Sequence, residues 1–224
     1  MGKLMPRFRQ LALVFAFCST AAVGFAQEQA LETRAASATE TKTIAFLGDS
    51  LSAGLGVKPE EAFPALVQAK IRERGLPYEV LNAGVSGDTT AGGLRRLDWL
   101  LQRKIDVLVI ELGGNDGLRG LSIRDLQANL QAMIDKAKAK QPEIKIVIAG
   151  MQMPPNVGAQ YLQEFRQVFS DVAKENNATL IPFLLEGVGG LREYNQPDMI
   201  HPNPTGHRMV ADVVWKTIEP LLNQ

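Results

Sequence analysis

From residue 43 onward, short runs of consecutive apolar residues alternate with longer segments in which apolar residues recur every three or four positions. The runs are Thr43–Leu47, Tyr78–Leu81, Val107–Leu112, Ile144–Ala149 and Leu180–Leu184. They are short and rich in Ile and Val, as strands covered on both faces require. The longer segments are Glu61–Arg74, Leu94–Gln102, Ser122–Lys140, Tyr161–Asn176 and Thr205–Leu222, and each predicts an amphipathic helix. Strand–helix alternation of this kind predicts an α/β protein. The expected form is a three-layer α/β/α sandwich around a five-stranded parallel sheet, with right-handed crossovers and the flavodoxin-like order 2-1-3-4-5. Ligands in such sheets bind beyond the carboxyl ends of the strands, so the loops that follow the strands are where chemistry is to be sought.

The first residues break this pattern. Lys3, Arg7 and Arg9 precede a nearly continuous apolar run from Leu11 to Phe25, and Gly24-Phe25-Ala26 offers small residues where a signal peptidase reads them. Residues 1–26 therefore read as a secretory signal peptide cut after Ala26, and the run is short for a membrane span. Residues 27–42 are polar, without apolar periodicity, and read as a flexible leader. The domain proper is 43–224. The expected location is periplasmic or secreted, with no stable membrane insertion after cleavage.

Composition narrows the function classes. The chain has 224 residues, 46% apolar and 21% charged, with a formal net charge of zero. No basic run recommends nucleic acid as a partner. Cys18 is the single cysteine and falls inside the signal peptide, so disulfides and thiolate chemistry are excluded from the mature chain. His201 and His207 are the only histidines, too few for a structural zinc site. No metal or cofactor is expected, and the domain reads as a monomer.

Four loops distant in sequence collect at the predicted carboxyl edge. Strand one runs into Gly48-Asp49-Ser50, strand two into Asn82-Ala83-Gly84-Val85-Ser86-Gly87-Asp88-Thr89, and strand three into Gly113-Gly114-Asn115-Asp116. Before the last helix comes Asp198-Met199-Ile200-His201-Pro202. Asp198 and His201 are three apart, so a turn can bring the carboxylate to one imidazole nitrogen and leave the other free to take a proton. A serine hydroxyl is a weak nucleophile without such a base, and Ser50 stands where the first strand turns. Asn115 and a loop glycine would supply donors to an oxyanion together with the Ser50 N–H. Asp49 reads as a brace or turn former, Ser52 as a cap, and His207 as helix packing or surface.

GDSLS at 48–52, SGDTT at 86–90, GGND at 113–116 and DMIHP at 198–202 resemble, in order, the four sequence blocks of the SGNH (GDSL) hydrolases. The chain is most similar to the bacterial thioesterase I / protease I / lysophospholipase L1 and arylesterase group. The resemblance spans roughly residues 44–222. It implies Ser50 as nucleophile, Ser50, Gly87 and Asn115 as oxyanion donors, His201 as base and Asp198 as its orienter. The choice of Gly87 over Gly84 comes from the resemblance. Ser52 stands where the nucleophile elbow of α/β-hydrolases has its second glycine, which favours the SGNH fold over that one.

The expected reaction is serine-dependent hydrolysis of esters and thioesters with an apolar acyl chain, through an acyl-enzyme. Acyl thioesters, lysophospholipids and aryl esters are the small-molecule substrates implied. Leu118 and Leu121 after the Asn115 block, and Met151, Met153 and Pro154 after strand four, are the candidate acyl-binding residues. Their alternative is ordinary core packing. Two rival functions stand beside this one. A polysaccharide acetylesterase is opposed by the scarcity of aromatics, with two Trp and three Tyr. Asp49, Asp88 and Asp116 could instead form a magnesium site for a phosphohydrolase or a phosphate-binding module, but no P-loop motif accompanies them.

Overall fold

The computed structural model describes residues 1–2, 40–154 and 157–223. The chain divides into Met1–Glu40 and Thr41–Gln224, and the second unit carries the fold. The predicted signal peptide, apart from residues 1–2, and most of the leader lie outside the described residues.

Five parallel strands form one sheet: β1 (Lys42–Gly48), β2 (Tyr78–Asn82), β3 (Val107–Glu111), β4 (Lys145–Ala149) and β5 (Thr179–Ile181), in the order β2-β1-β3-β4-β5. The helices are α1 (Ser50–Ala53), α2 (Phe63–Glu73), α3 (Thr90–Leu100), α4 (Gly114–Leu118), α5 (Ile123–Lys140), α6 (Ala159–Glu175) and α7 (Pro204–Leu222). Helix α2 packs on α7; α5 packs on both α3 and α6. These two groups form the outer layers of the α/β/α sandwich. Ile44–Leu47 of β1 and Val107–Ile110 of β3 are almost completely buried, which is why their sequences are apolar without alternation.

The sheet order reverses direction between β1 and β3. The chain moves outward from β1 to β2, then crosses back to β3 on the other flank. The loops after β1 and β3 therefore leave the sheet side by side in opposite senses, and a crevice opens between them.

Several predicted boundaries move, each for a local reason. Helix α3 starts at Thr90, four residues before the predicted Leu94, because Thr89 caps it by accepting from the Gly92 N–H. Gly92 and Gly93 lie inside the helix. A methyl on either would strike the Asp88 carboxylate or Leu112, so their small size allows close packing. Strand β5 ends at Ile181, not Leu184: Pro182 follows, and the Leu184 N–H turns back to the Gly150 carbonyl. The short helices α1 and α4 have no counterpart in the sequence reading, because four or five residues show no periodicity.

Candidate active site

Strand β1 ends at Gly48, and the backbone turns at once into α1. Asp49 caps that helix: its Oδ1 accepts from the Leu51 N–H at 3.0 Å. Gly48 must be a glycine because of what lies beside it. A methyl there would collide with the Ser52 hydroxyl and the Glu111 carboxylate. Gly84 is constrained likewise, since a methyl there would strike the backbone of Asp49, Ser52 and Ala53. Arg96 of α3 ties the underside together. Its guanidinium donates to the carbonyls of Gly48 (2.8 Å) and Ala83 (2.6 Å) and to Asp88 (2.6 Å).

Ser50, the first residue of α1, is hydrogen-bonded through its Oγ to His201 Nε2 at 2.8 Å, across 151 positions of sequence. The other ring nitrogen, Nδ1, meets Asp198 Oδ2 at 2.7 Å. Asp198 Oδ1 accepts from the backbone N–H groups of Ile200 (2.9 Å) and His201 (3.0 Å). The turn that permits this places Met199 at a φ of 62°. Burial alone would raise the Asp198 carboxyl, but the His201 N–H, its ring and the Ile200 N–H overcome that and hold it down at about 2. The segment is anchored on both sides. Gln196 Nε2 donates to the carbonyls of Leu55 (2.6 Å) and Pro202 (3.0 Å), and Asn203 caps α7 by accepting from Thr205 and Gly206.

From the neighbouring strand, Asn115 enters the same crevice on α4. Its Nδ2 donates to Asp49 Oδ2 at 3.0 Å, which leaves the second amide hydrogen for the crevice. The space in front of Ser50 is a cavity of about 590 Å³. Asp49, Ser50, Asn115, Asp198 and His201 line it together with Leu51, Leu118, Met151, Met153, Pro154, Phe183, Leu185 and Ile200. One wall is thus polar and reactive and the rest is apolar. A nucleophile–base–carboxylate chain at a sheet switch point, beside an amide donor and an apolar cavity, is an arrangement suited to acyl transfer.

Residues 46–209 match the model of the GDSL-like lipase/acylhydrolase family. The chain belongs to the GDSL-like lipase/acylhydrolase family. Over 182 residues it is 44% identical to esterase TesA of Pseudomonas aeruginosa, covering 81% of this chain and 90% of that protein. It is 37% identical to thioesterase 1/protease 1/lysophospholipase L1 of Escherichia coli K12, covering 81% and 85%. The crystal structure of TesA superimposes with a TM-score of 0.77 over 80% of this chain and 99% of that one.

Within this GDSL architecture the sequence-predicted residues fall into two groups. Ser50, Asn115, Asp198, His201, Leu118, Met151, Met153 and Pro154 come together around one cavity. Gly87 and Leu121 are not among the residues lining it. Gly87 has a φ of 79°, and its carbonyl accepts from Arg119 Nη2 at 2.7 Å. Leu121 is 42% exposed, beyond the end of α4. The three aspartates of the magnesium alternative are committed elsewhere: Asp49 to Leu51 and Asn115, Asp88 to Arg96, and Asp116 to the Thr90 N–H and hydroxyl. Among the described residues, no group of three or more histidine, cysteine or acidic side chains could hold a metal.

Two side chains are more consequential than their sequence suggests. Ser52, read as a cap, is fully buried and donates its hydroxyl to Glu111 Oε2 at 2.6 Å. Glu111 itself escaped notice. The available signal was a carboxylate inside the otherwise apolar run Val107–Leu112, where a fifth consecutive apolar residue would have been ordinary.

Proposed function

We propose that the protein is a serine hydrolase of carboxylic esters and thioesters that works through an acyl-Ser50 intermediate. The observation that carries this reading is the continuous chain Ser50 Oγ–His201–Asp198, with links of 2.8 and 2.7 Å. His201 Nε2 takes the Ser50 proton as Oγ attacks the acyl carbon, then returns it to the departing alcohol or thiol. Asp198 keeps the proton of Nδ1 and balances the imidazolium. The Ser50 N–H and Asn115 Nδ2 serve as donors to the tetrahedral oxyanion, each worth about 3–4 kcal/mol in sites of this type; the Gly87 N–H, outside the cavity lining, joins them on the family resemblance alone. Water, activated by the same imidazole, then releases the acid.

The apolar walls favour a fatty acyl chain. Each methylene buried against residues such as Leu118, Met151 and Ile200 contributes about 0.8 kcal/mol. Acyl thioesters, lysophospholipids and aryl esters fit such a cavity, and the relatives' names include esterase, thioesterase and lysophospholipase. One chain supplies every group the reaction needs, which is in keeping with a monomer. It is exported under the N-terminal signal. Among the described residues no helix is long and apolar enough to cross a membrane.

The decisive experiment is intact-mass analysis after a fluorophosphonate probe, with the modified residue mapped. Labelling at Ser50 is expected, and Ser50→Ala should fold normally while kcat falls by about 10³ or more. Labelling elsewhere, or an active Ser50→Ala protein, would overturn the assignment. With p-nitrophenyl esters from two to sixteen carbons, kcat/KM should rise with chain length until the cavity is filled. A sharp preference for acetyl would instead favour an acetylesterase.

A further inference from the structure

Beneath the nucleophile turn lies a buried acid that the reaction as described does not use. Glu111 ends β3 in register with Gly48 and is 0% exposed. Its Oε2 accepts three donors: the Asp49 N–H (3.1 Å), the Ser52 N–H (3.1 Å) and the Ser52 hydroxyl (2.6 Å). Its Oε1 is buried without a partner. Alongside sits the Asp49 carboxyl, 2% exposed, in the residue whose own N–H is held by Glu111 Oε2 and whose charge raises Glu111. Asp49 Oδ1 holds the Leu51 N–H and Oδ2 holds Asn115.

Two ionised carboxylates cannot share so dry a site at little cost. An orphaned buried oxygen is a second cost. One proton removes both: carried on Glu111 Oε1, it is donated to Asp49, while Oε2 continues to accept as a carbonyl. The Asp49 charge then remains to hold the Asn115 amide. Desolvation pushes the Asp49 carboxyl up to about 6, and desolvation together with the Asp49 charge pushes Glu111 well above its ordinary range. The other groups facing the pair are the His201 ring, which couples electrostatically to Asp49, and Arg96, which holds the Gly48 carbonyl.

We propose that Glu111 is a positioning residue for the oxyanion site: it carries a proton shared between two facing carboxyls and, through Asp49, sets the direction of the Asn115 amide. This rests on the reading of Asn115 as an oxyanion donor given above. Glutamine reproduces the neutral acid, since its oxygen accepts the three donors and its amide donates to Asp49. Leucine fills similar space and does neither.

The test compares Glu111→Gln and Glu111→Leu in the full protein with a p-nitrophenyl ester. Glu111→Leu should lower kcat about 10²-fold with KM unchanged, the scale of a lost oxyanion donor. Glu111→Gln should restore kcat to within about threefold of the parent, because every hydrogen bond is preserved. In an Asn115→Ala background the Glu111→Leu penalty should vanish, which a general packing defect would not do. Infrared spectra of the parent near neutral pH should show the carbonyl stretch of a neutral carboxylic acid, absent from Glu111→Gln. The proposal fails if Glu111→Gln is as damaging as Glu111→Leu, if the Asn115 and Glu111 penalties add in full, or if the parent lacks the band. Should Glu111→Leu not fold, Glu111→Gln and the spectrum still decide. An active Ser50→Ala protein would bring down the underlying hydrolase reading; an inert Ser50→Ala protein beside a fully active Glu111→Leu would overturn this proposal alone.

Discussion

His207 offers a quantitative test of how α2 and α7 are joined. It lies on α7, 1% exposed, and stacks on Phe63 with ring centroids 6.4 Å apart. Its Nδ1 accepts from the Phe63 N–H at 3.2 Å. Phe63 is the first residue of α2, and the residue before it, Ala62, has no side chain able to cap. The imidazole therefore caps a helix from another helix, and only while Nδ1 is unprotonated. A proton there would remove the acceptor and set a cation against the positive end of α2. Desolvation is the main cause that lowers His207 to about 4 from an ordinary 6.5; the Glu61 charge opposes it and the His201 charge adds to it.

The sign follows from proton binding. Between pH 6.5 and 4 the unfolded chain binds a proton that the folded one refuses, so His207's contribution is full above 6.5 and is lost as pH falls. At 1.36 kcal/mol per unit the loss between neutral pH and pH 4 is about 3 kcal/mol. Asp49 and Glu111 act in the opposite sense. Their folded values are raised, so their contribution is present at low pH and is lost as pH rises through those values. The parent's pH profile alone mixes these effects, and a difference is needed. His207→Asn keeps an acceptor near the Nδ1 position and does not titrate. Urea unfolding of both proteins at several pH values should show the parent's stability, measured relative to the variant, falling by about 3 kcal/mol between neutral pH and pH 4. Parallel profiles would refute the capping argument.

Two further outcomes follow from the site. Gly48→Ala should lower the urea midpoint by an amount equivalent to about 1–3 kcal/mol and reduce kcat, because the new methyl drives Ser52 and Glu111 from their places; a protein unchanged in both would show that the turn relaxes freely. Asp198→Asn should leave stability nearly unchanged, its side chain being 45% exposed, while kcat falls about 10⁴-fold as the amide favours the wrong imidazole tautomer. Retention of most activity by Asp198→Asn would indicate that another group orients His201.

The parts of the site that were legible in the sequence are those whose residue type already implies reactivity and whose position follows from topology. Ser50, Asn115 and the Asp198–His201 pair each occur just beyond a predicted strand or before the last helix, so the sheet order alone brings them to one edge. Glu111 was hidden for the opposite reason. The run Val107–Leu112 absorbs the carboxylate as one more strand residue, and only the tertiary contacts with Gly48 and Ser52 show how it is held in the interior. Helix α3 extends beyond the predicted Leu94–Gln102 segment at its start because apolar periodicity begins only at Leu94, whereas the Thr89 cap and tight packing carry the low-propensity Gly92-Gly93 into the helix. His207 was placed in the right helix, but no local signal tells that it caps α2, 144 residues earlier in the chain. Leu118 and Leu121 looked equivalent in a glycine-rich loop, yet α4 ends between them and only the first lines the cavity.

The 151-residue separation between the two ends of the Ser50–His201 hydrogen bond bears on synthesis. Ribosomes make a chain from its amino end, so the alcohol emerges long before its partner imidazole. The segment carrying that imidazole is also fastened to α7, which must dock on α2 before the ring is held in place. A nascent or prematurely terminated polypeptide therefore has a serine and no means of ionising it. For a hydrolase of esters and thioesters, the nucleophile therefore gains its base only once the segment before the last helix has been made.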